Sequence, residues 1–259
     1  RMKEIFTITN QKGGIGKSTT AHAIGAGLAR KQNKTLLVDL DAQANLTLAA
    51  GADPSRPTIL DLIHQTAPAS DVIQPVRENL DILPASMNLS AADLLFHDTG
   101  KEYRLKEALA PLLGQYDYLV LDTPPALGVL TVNALTVATK VIIPAQADLF
   151  SLSAIQRLYG TIETVKKYTN PSLQIEGIVL TRYNPRNILT KELTDLIQDT
   201  AAQIRTKVFQ TPIREAIAIK EAQASHTDIF TYAPKSKVAQ DYQSLLDEIL
   251  QDKGGKVHE

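Results

Sequence analysis

A short stretch near the start of the chain combines the residue types that bind phosphate. Residues 12–20 read Lys-Gly-Gly-Ile-Gly-Lys-Ser-Thr-Thr, after an apolar run and before an alanine-rich helical pattern. Glycines let the backbone curl so that several N–H groups point into one cavity, and the following helix adds its positive N-terminal end. Lys17 can reach the β- and γ-phosphates of a nucleotide, and the Ser18 hydroxyl can ligand the Mg²⁺ that bridges them. The predicted nucleotide contacts in this stretch are Lys12, Gly13, Gly14, Ile15, Gly16, Lys17, Ser18 and Thr19.

The spacing of these residues differs from that of the commonest phosphate-binding loop. The pattern G-x-x-x-x-G-K-[ST] would need glycine at position 11, where this chain has Gln11. The match is instead to K-G-G-x-G-K-[ST], in which Lys12 is an additional lysine. A glycine turn that carries lysines by chance is the alternative interpretation, and the strand–loop–helix context argues against it.

Acidic side chains follow two of the apolar strands. Ligands of an open α/β sheet bind beyond the carboxyl ends of its strands, where Asp39, Asp41 and Asp122 are expected. Asp122 ends an apolar run and is predicted to hold Mg²⁺ through a water, the alternative being a turn or capping aspartate. Asp41 is predicted to orient the attacking water and to complete the metal site with Ser18 and Asp122. Asp39 lies within its strand and is expected to face the other side of the sheet in a structural role.

Apolar runs alternate with helical patterns along the chain, which is typical of a parallel sheet covered on both faces. Strands are predicted at residues 3–9, 35–40, 80–84, 116–122, 140–144, 173–181 and 207–209. Helices are predicted at residues 20–31, 58–65, 90–113 with a break near Gly100, 131–139, 149–168, 190–204 and 236–251, with Thr58 and Thr190 as caps. The expected fold class is therefore α/β, with one domain over residues 1–259, a mostly parallel twisted sheet and helices on both faces.

Composition limits the other classes of protein and site. The 259 residues are 44% hydrophobic and 21% charged, as expected for a soluble globular protein. No apolar run approaches the length that spans a bilayer and no signal segment opens the chain, so a cytoplasmic location is expected. The sequence has no cysteine, which excludes a disulfide framework, a thiolate zinc site and a cysteine-held iron–sulfur cluster. Arg1 is interpreted as an added residue and residues 253–259 as a frayed tail.

Three motifs together resemble the ParA/Soj partition ATPases, which carry a deviant Walker A loop. They are residues 12–20, the Asp-Leu-Asp-Ala-Gln-Ala-Asn of residues 39–45, and the Asp-Thr-Pro-Pro of residues 122–125. The likeness continues through residues 102–105, 177–181 and 232–237, so it covers nearly the whole chain. The chain resembles the short type, without an N-terminal helix-turn-helix. Relatives commonly have proline and glycine where this chain has Ala42 and Ala44, which leaves the backbone of that loop undetermined.

The resemblance implies a P-loop fold and an ATP-dependent sandwich dimer. Lys12 would cross to the phosphates of the partner subunit, while Lys17 and Ser18 bind phosphate and Mg²⁺ within their own chain. With Lys12, Lys17 and Asp41 in catalytic roles, hydrolysis would be slow until a ParB-like centromere-binding partner accelerates it. The adenine would lie near Arg182 and Pro212. The implied cofactors are ATP and Mg²⁺.

The resemblance also implies binding to non-specific double-stranded DNA, and with it association with the nucleoid in the ATP-bound state. The formal net charge is −1, so such binding needs a local group of basic side chains. The candidates are Arg182, Arg186, Lys191, Lys220, Lys235 and Lys237. Scattered solvated charge is the alternative for each of them, and a place in the adenine pocket is a further alternative for Arg182. An arginine that contributes to DNA binding in relatives corresponds to Ala218 and is not carried over.

Two other functions stay open at this stage. A MinD-like ATPase would position a protein or membrane cargo, but its membrane helix should be basic, whereas the last helix here and the residue after it carry Asp241, Asp247, Glu248 and Asp252. Membrane binding is therefore not expected. A nucleotide-gated binding switch with little turnover is the second alternative, and the presence of both Asp41 and Asp122 argues against it.

Overall fold

Seven β-strands form one sheet in the computed structural model, which describes residues 2–14 and 16–251. The strands are β1 (Glu4–Ile8), β2 (Thr35–Asp39), β3 (Gln74–Arg77), β4 (Leu80–Leu83), β5 (Tyr118–Asp122), β6 (Lys140–Ala145) and β7 (Gln174–Leu180). They lie in the order β3-β4-β2-β5-β1-β6-β7, and every pairing is parallel except that of β3 with β4. The prediction of a mostly parallel sheet is confirmed. The predictions for Ile15 and for a tail at residues 253–259 fall outside the described residues.

Helices connect these strands. In chain order they are α1 (Lys17–Arg30), α2 (Asn45–Ala49), α3 (Ile59–Ile63), α4 (Ala69–Val72), α5 (Ala92–Leu95), α6 (Arg104–Leu109), α7 (Val129–Val137), α8 (Leu149–Tyr168), α9 (Ile188–Gln203), α10 (Ile217–Ala224), α11 (Ile229–Tyr232) and α12 (Lys237–Gln251). Short 3₁₀ turns lie at Met87–Ala91, Lys101–Tyr103 and Ala110–Leu112. None of the helices in this part of the chain combines the length and apolar character that crossing a membrane requires.

Both faces of the sheet are covered, as β2 illustrates. Successive side chains of a strand point to opposite faces. Leu37 packs in a cluster that holds residues of α1, α11 and α12, whereas Leu36 and Val38 pack with residues of α3, α6 and α7. A third cluster packs α8 and α9 against β6 and β7. The unbroken apolar runs of the central strands follow from this burial on both sides.

The helix after the phosphate-binding loop is held unusually close to its neighbours. A Cβ atom at Gly25 would lie 2.5 Å from Leu37 Cδ2, and one at Gly27 would lie 2.6 Å from Leu246 Cδ2. Glycine at these two positions therefore lets α1 lie close against β2 on one side and α12 on the other. This packing fixes the start of α1, and with it Lys17 and Ser18, relative to the sheet.

Several predicted elements differ from the structure. The edge strand β3 was not predicted, because it is short, polar and contains Pro75, which is tolerated at a sheet edge. The strand predicted at residues 207–209 is only a single bridge between Ile178 and Val208. The helix predicted over residues 90–113 has the predicted break at Gly100, whose φ is 83°, but it is further divided by 3₁₀ turns into short segments. The helices α2, α4, α10 and α11 were also not predicted.

The two predicted helix caps have different outcomes. Thr58 caps α3 through a capping box with Asp61, as predicted. The prediction for Thr190 is wrong, because α9 begins at Ile188 and its cap is Asn187, whose side chain accepts a 3.0 Å hydrogen bond from the Leu189 N–H. Thr190 is buried within the first turn.

Candidate nucleotide site

The sheet order places the three acidic strand ends beside the phosphate-binding loop. The strand β1, which leads into the loop, lies next to β5, and β5 lies next to β2. Ile8 and Asp39 both pair in register with Asp122. The ends of the three strands therefore meet at one edge, directly below the start of α1.

The loop uses glycine where the backbone requires it. Gly14 and Gly16 have φ angles of 72° and 87°, in the left-handed region that side chains with a Cβ disfavour. Gly16 is the residue that precedes α1, so the first N–H groups of the helix face the loop. Lys17 follows and is only 7% exposed. Burial lowers the pKa of Lys17, and the carboxylates of Asp122 and Asp41 oppose that shift.

Ser18 and Asp122 meet at the floor of the site. The Ser18 hydroxyl donates a 2.6 Å hydrogen bond to Asp122 Oδ2. The second oxygen, Oδ1, is buried and has no hydrogen-bond partner in the described part of the chain. Burial, and then the nearby Asp39 carboxylate, raises the pKa of Asp122 well above its usual value. A hydroxyl beside a buried carboxylate oxygen that lacks a partner fits the oxygen ligands that Mg²⁺ takes.

Asp39 and Asp41 occupy different positions although they are two residues apart. Asp39 is fully buried, and its carboxylate accepts hydrogen bonds from the backbone of Asp41 and from the N–H and hydroxyl of Thr47. These contacts agree with the structural role expected for Asp39. The expectation that it faces the other side of the sheet is wrong, because register partners in parallel strands share a face and Asp39 pairs with Asp122. Asp41 lies at the rim of the site, where it is placed to reach a nucleotide.

The loop after Asp41 keeps a strained conformation without glycine. Ala44 has a φ of 55° and precedes α2, although this left-handed region disfavours alanine. The Asp41 carboxylate accepts a hydrogen bond of 3.1 Å from the Gln43 N–H. Ala44 is buried in the cluster beneath the loop, which holds it in place. The backbone that the sequence left undetermined is therefore left-handed here.

A cavity of about 690 Å³ opens above the loop and continues toward β7 and α10. This volume is in the range of small-molecule and cofactor sites. Its lining includes Gly13, Gly14, Gly16, Lys17, Ser18, Thr19, Asp41, Thr181, Arg182, Ile213 and Lys220. Pro212 is not among the described lining residues, and its neighbour Ile213 takes that place. The cavity joins the predicted phosphate end to the predicted adenine end.

Arg182 lies at the edge of this cavity and contacts the loop directly. Its guanidinium donates a 3.2 Å hydrogen bond to the Gly14 carbonyl and forms a 3.3 Å ion pair with Glu215. Its own φ is 48°, so the chain turns sharply after β7 to bring the side chain back to the loop. This geometry favours the interpretation of Arg182 as a nucleotide-site residue over that of a DNA contact.

Comparison with known proteins decides the family. A family profile described as "AAA domain" matches residues 3–175. The sporulation initiation inhibitor protein Soj of Bacillus subtilis is 37% identical over 96% of this chain and 98% of its own length. The chromosome partitioning protein ParA of Myxococcus xanthus is 34% identical over 95% of this chain and 87% of its own length. The chain belongs to the ParA/Soj family of P-loop ATPases.

Two further similarities are to a nucleotide-bound structure and to a family of cluster-binding proteins. The chain is 31% identical, with a TM-score of 0.84, to a Mycobacterium smegmatis structure titled cobyrinic acid a,c-diamide synthase with bound ATP analogue and magnesium. That likeness covers 99% of this chain and 98% of the other. A profile of 4Fe-4S cluster-binding proteins of the NifH/frxC family matches residues 128–258. This ParA/Soj chain has no cysteine and so lacks the thiolates that hold such a cluster.

Lys12, the additional lysine of the loop and hereafter the signature lysine of this ParA/Soj chain, is directed away from the nucleotide cavity of its own chain. Lys12 Nζ donates a 2.8 Å hydrogen bond to Gln146 Oε1 and a second, very short one to Asp148. It also lies 5.7 Å from the centre of the Phe150 ring. Lys12 is therefore held against the start of α8, and it is not among the described residues that line the cavity.

The predicted DNA contacts fall in three places. Arg182 and Lys220 line the nucleotide cavity. Arg186 and Lys191 are exposed at the start of α9, and Lys235 and Lys237 are exposed at the start of α12. The predicted DNA contacts within residues 182–191 therefore do not lie together: one lines the cavity and two are on the surface.

One contact of the site carried no signal in the sequence. Gln223 donates a 2.8 Å hydrogen bond to the hydroxyl of Thr19, which links α10 to the first turn of α1. Gln223 and Ile219 both line the cavity. Because α10 is short and was not predicted, and because 204 residues separate the two partners, local periodicity could not reveal this link.

Proposed function

We propose that this chain is an Mg²⁺- and ATP-dependent ATPase that dimerises, binds DNA without sequence preference and segregates plasmid or chromosomal DNA with a ParB-like partner. The observation that carries the proposal is the pair of Ser18 and Asp122 beside Lys17, with one buried carboxylate oxygen lacking a partner. The relatives include chromosome partitioning proteins, which supports the cellular role.

Each residue of the site has a separate role in the transfer of the γ-phosphoryl group to water. Lys17 and the N–H groups at the start of α1 bind the β- and γ-phosphates and stabilise the charge that develops on them. Ser18 and Asp122 would hold Mg²⁺, which supplies further neutralisation of that charge when bound. Asp41, which lines the same cavity, orients the attacking water.

The signature lysine would act in the partner subunit. Lys12 is held outside its own cavity by α8, so a second copy of the chain offers the phosphates that it can reach. The two arginines that line the described cavity are both paired with carboxylates, Arg182 with Glu215 and Arg214 with Asp241. Slow basal hydrolysis, accelerated by a partner, follows from that arrangement.

The surface charge suits DNA binding that depends on dimerisation. The formal net charge of the chain is −1, so a monomer presents no strong overall field to DNA. The exposed basic residues at the starts of α9 and α12 would be doubled in a dimer. ATP-dependent dimerisation would therefore couple the nucleotide state to attachment at the nucleoid.

The test is binding of generic duplex DNA with Mg²⁺-ATP, with Mg²⁺-ADP and without nucleotide, each at two salt concentrations. We expect binding only with ATP, weakening steeply with salt because phosphate contacts release counterions. An Asp41→Ala variant should keep this binding and lose about a hundredfold in ATP hydrolysis, because the water is no longer oriented.

The matched control is Asp199→Ala, which removes an exposed aspartate on α9 and should change neither property. Equal binding with ADP, or no binding in any state, would overturn the DNA-partition proposal and direct attention to protein or membrane cargo. Unchanged hydrolysis in Asp41→Ala would overturn the role of Asp41.

A further inference from the structure

A second basic residue shares the aromatic ring that holds the signature lysine. The Phe150 ring lies 5.7 Å from Lys12 Nζ and 6.0 Å from the centre of the Arg157 guanidinium. The ring is 52% exposed, so it is open to solvent although two cations approach it. Cations within about 6 Å of an aromatic ring are attracted to its face.

Arg157 also contacts the segment that leads into Lys12. Its Nε donates a 2.7 Å hydrogen bond to Oε1 of Gln11, the residue immediately before Lys12. Gln11 stands where the commoner phosphate-binding loop has glycine, so this side chain is an addition that the deviant loop provides. Arg157 thus anchors the start of the loop through Gln11, while Gln146 and Asp148 hold the Lys12 ammonium.

All these contacts come from the first three turns of α8 and the residues just before it. Asp148 caps the helix by accepting a hydrogen bond of 2.7 Å from the Ser151 N–H. That cap fixes the carboxylate that meets Lys12. Arg157 forms no ion pair with a carboxylate in the described part of the chain, so its polar contact there is directed to the loop.

We propose that Arg157 is a positioning residue for Lys12, acting through Gln11 and Phe150. The segment after Gln11 contains three glycines and would otherwise sample many conformations. The hydrogen bond to Gln11 restricts this segment, and the shared ring keeps Lys12 beside the start of α8. Lys12 is then presented at the surface where a second copy's phosphates arrive. This inference rests on the proposed role of Lys12 in the partner subunit.

The experiment measures ATP-dependent dimerisation and the steady-state kinetics of ATP hydrolysis for wild type, Arg157→Gln, Arg157→Lys and Gln11→Ala. We expect Arg157→Gln to weaken dimerisation and lower kcat by about threefold to tenfold. KM for ATP should not change, because Lys17 and Ser18 are untouched. Arg157→Lys should restore little of the lost dimerisation and kcat. A planar guanidinium can bond to Gln11 and lie over the Phe150 ring at the same time, and an ammonium lacks this planar group.

A double variant separates positioning from a general structural role. If Arg157 acts through Gln11, the Arg157→Gln and Gln11→Ala changes should not add, and their combination should lose no more than Arg157→Gln alone. Additive losses, or a loss that appears in KM, would overturn the proposal. Lys167→Gln, near the far end of α8, is the matched control and should behave as wild type.

A Lys12→Ala variant distinguishes this inference from the proposed function. If Lys12→Ala abolishes ATP-dependent dimerisation and Arg157→Gln leaves it intact, only the role of Arg157 is wrong. If Lys12→Ala itself dimerises normally, the proposed role of Lys12 is wrong, and the inference about Arg157 fails with it.

Discussion

Two buried aspartates at the ends of adjacent strands differ in their hydrogen-bond partners. Asp39 has both oxygens occupied, by the backbone of Asp41 and by Thr47. Asp122 has one oxygen bonded to Ser18 and the other without a partner in the described residues. Burial raises the pKa of Asp39 to about 6 and that of Asp122 well above its usual value. A divalent cation at Asp122 would offset this cost of burying negative charge.

His22 makes the stability of the chain depend on pH. It lies on α1, is 5% exposed, and burial lowers its pKa from 6.5 to about 4, with Asp228 opposing and Arg77 adding to the shift. Between these two pKa values the unfolded chain binds more protons than the folded chain at this position. The stabilisation due to neutral His22 is therefore present above pH 6.5 and is lost as the pH falls toward 4.

We expect this loss to be about 2 kcal/mol between pH 7.5 and pH 5. Urea unfolding of wild type and of His22→Gln at both pH values measures it, because other titrating groups contribute equally to the two proteins. The variant should lose less stability on acidification than wild type by about this amount. An identical pH dependence in the two proteins would show that His22 does not titrate as its burial requires.

At the scale of elements, the start of α9 depends on a cap that lies before the predicted helix. The side-chain oxygen of Asn187 accepts a hydrogen bond from the Leu189 N–H. Without it, this N–H would be one of the unsatisfied donors of the first turn. Asn187→Ala should therefore lower the free energy of unfolding by about 1 kcal/mol. Urea unfolding of the variant gives the value.

The control for this prediction is Gln198→Ala, an exposed substitution in the middle of the same helix. It should be nearly neutral, since alanine is a good helix former and no contact of the core is lost. Equal effects of the two substitutions would mean that the cap contributes nothing and that α9 is held by packing of Leu193 and Ile197 alone.

For the whole molecule, nucleotide binding should appear as added stability. A ligand that binds the folded chain but not the unfolded chain stabilises the folded chain by about 2.7 kcal/mol when its concentration is a hundred times its Kd. We expect Mg²⁺-ATP to raise the Tm by several degrees over Mg²⁺ alone. Lys17→Ala should lose most of this increase, because it removes the buried cation of the loop, whereas Lys167→Ala on the exposed surface of α8 should retain it. An equal increase in both variants would contradict the assignment of the phosphate site.

The local patterns of the chain predicted the elements that depend on nearby residues. The six parallel-sheet strands, the full length of α8 and the Thr58 cap depend on apolar periodicity and on residues within a few positions. The glycines of the loop likewise reveal the left-handed backbone at Gly14 and Gly16, since few other residues accept it. These features required no knowledge of which strands are neighbours.

Sequence by itself thus determined the nucleotide loop, the acidic strand ends and the alternation of strands and helices, because each is encoded in residue type and short spacing. Only the tertiary structure decided that Asp39 shares a face with Asp122, that Arg182 reaches the loop, and that α8 holds Lys12. Those contacts join residues more than 80 positions apart in the chain. Local periodicity carries no information about such pairs, since they form only when the sheet order brings distant segments together.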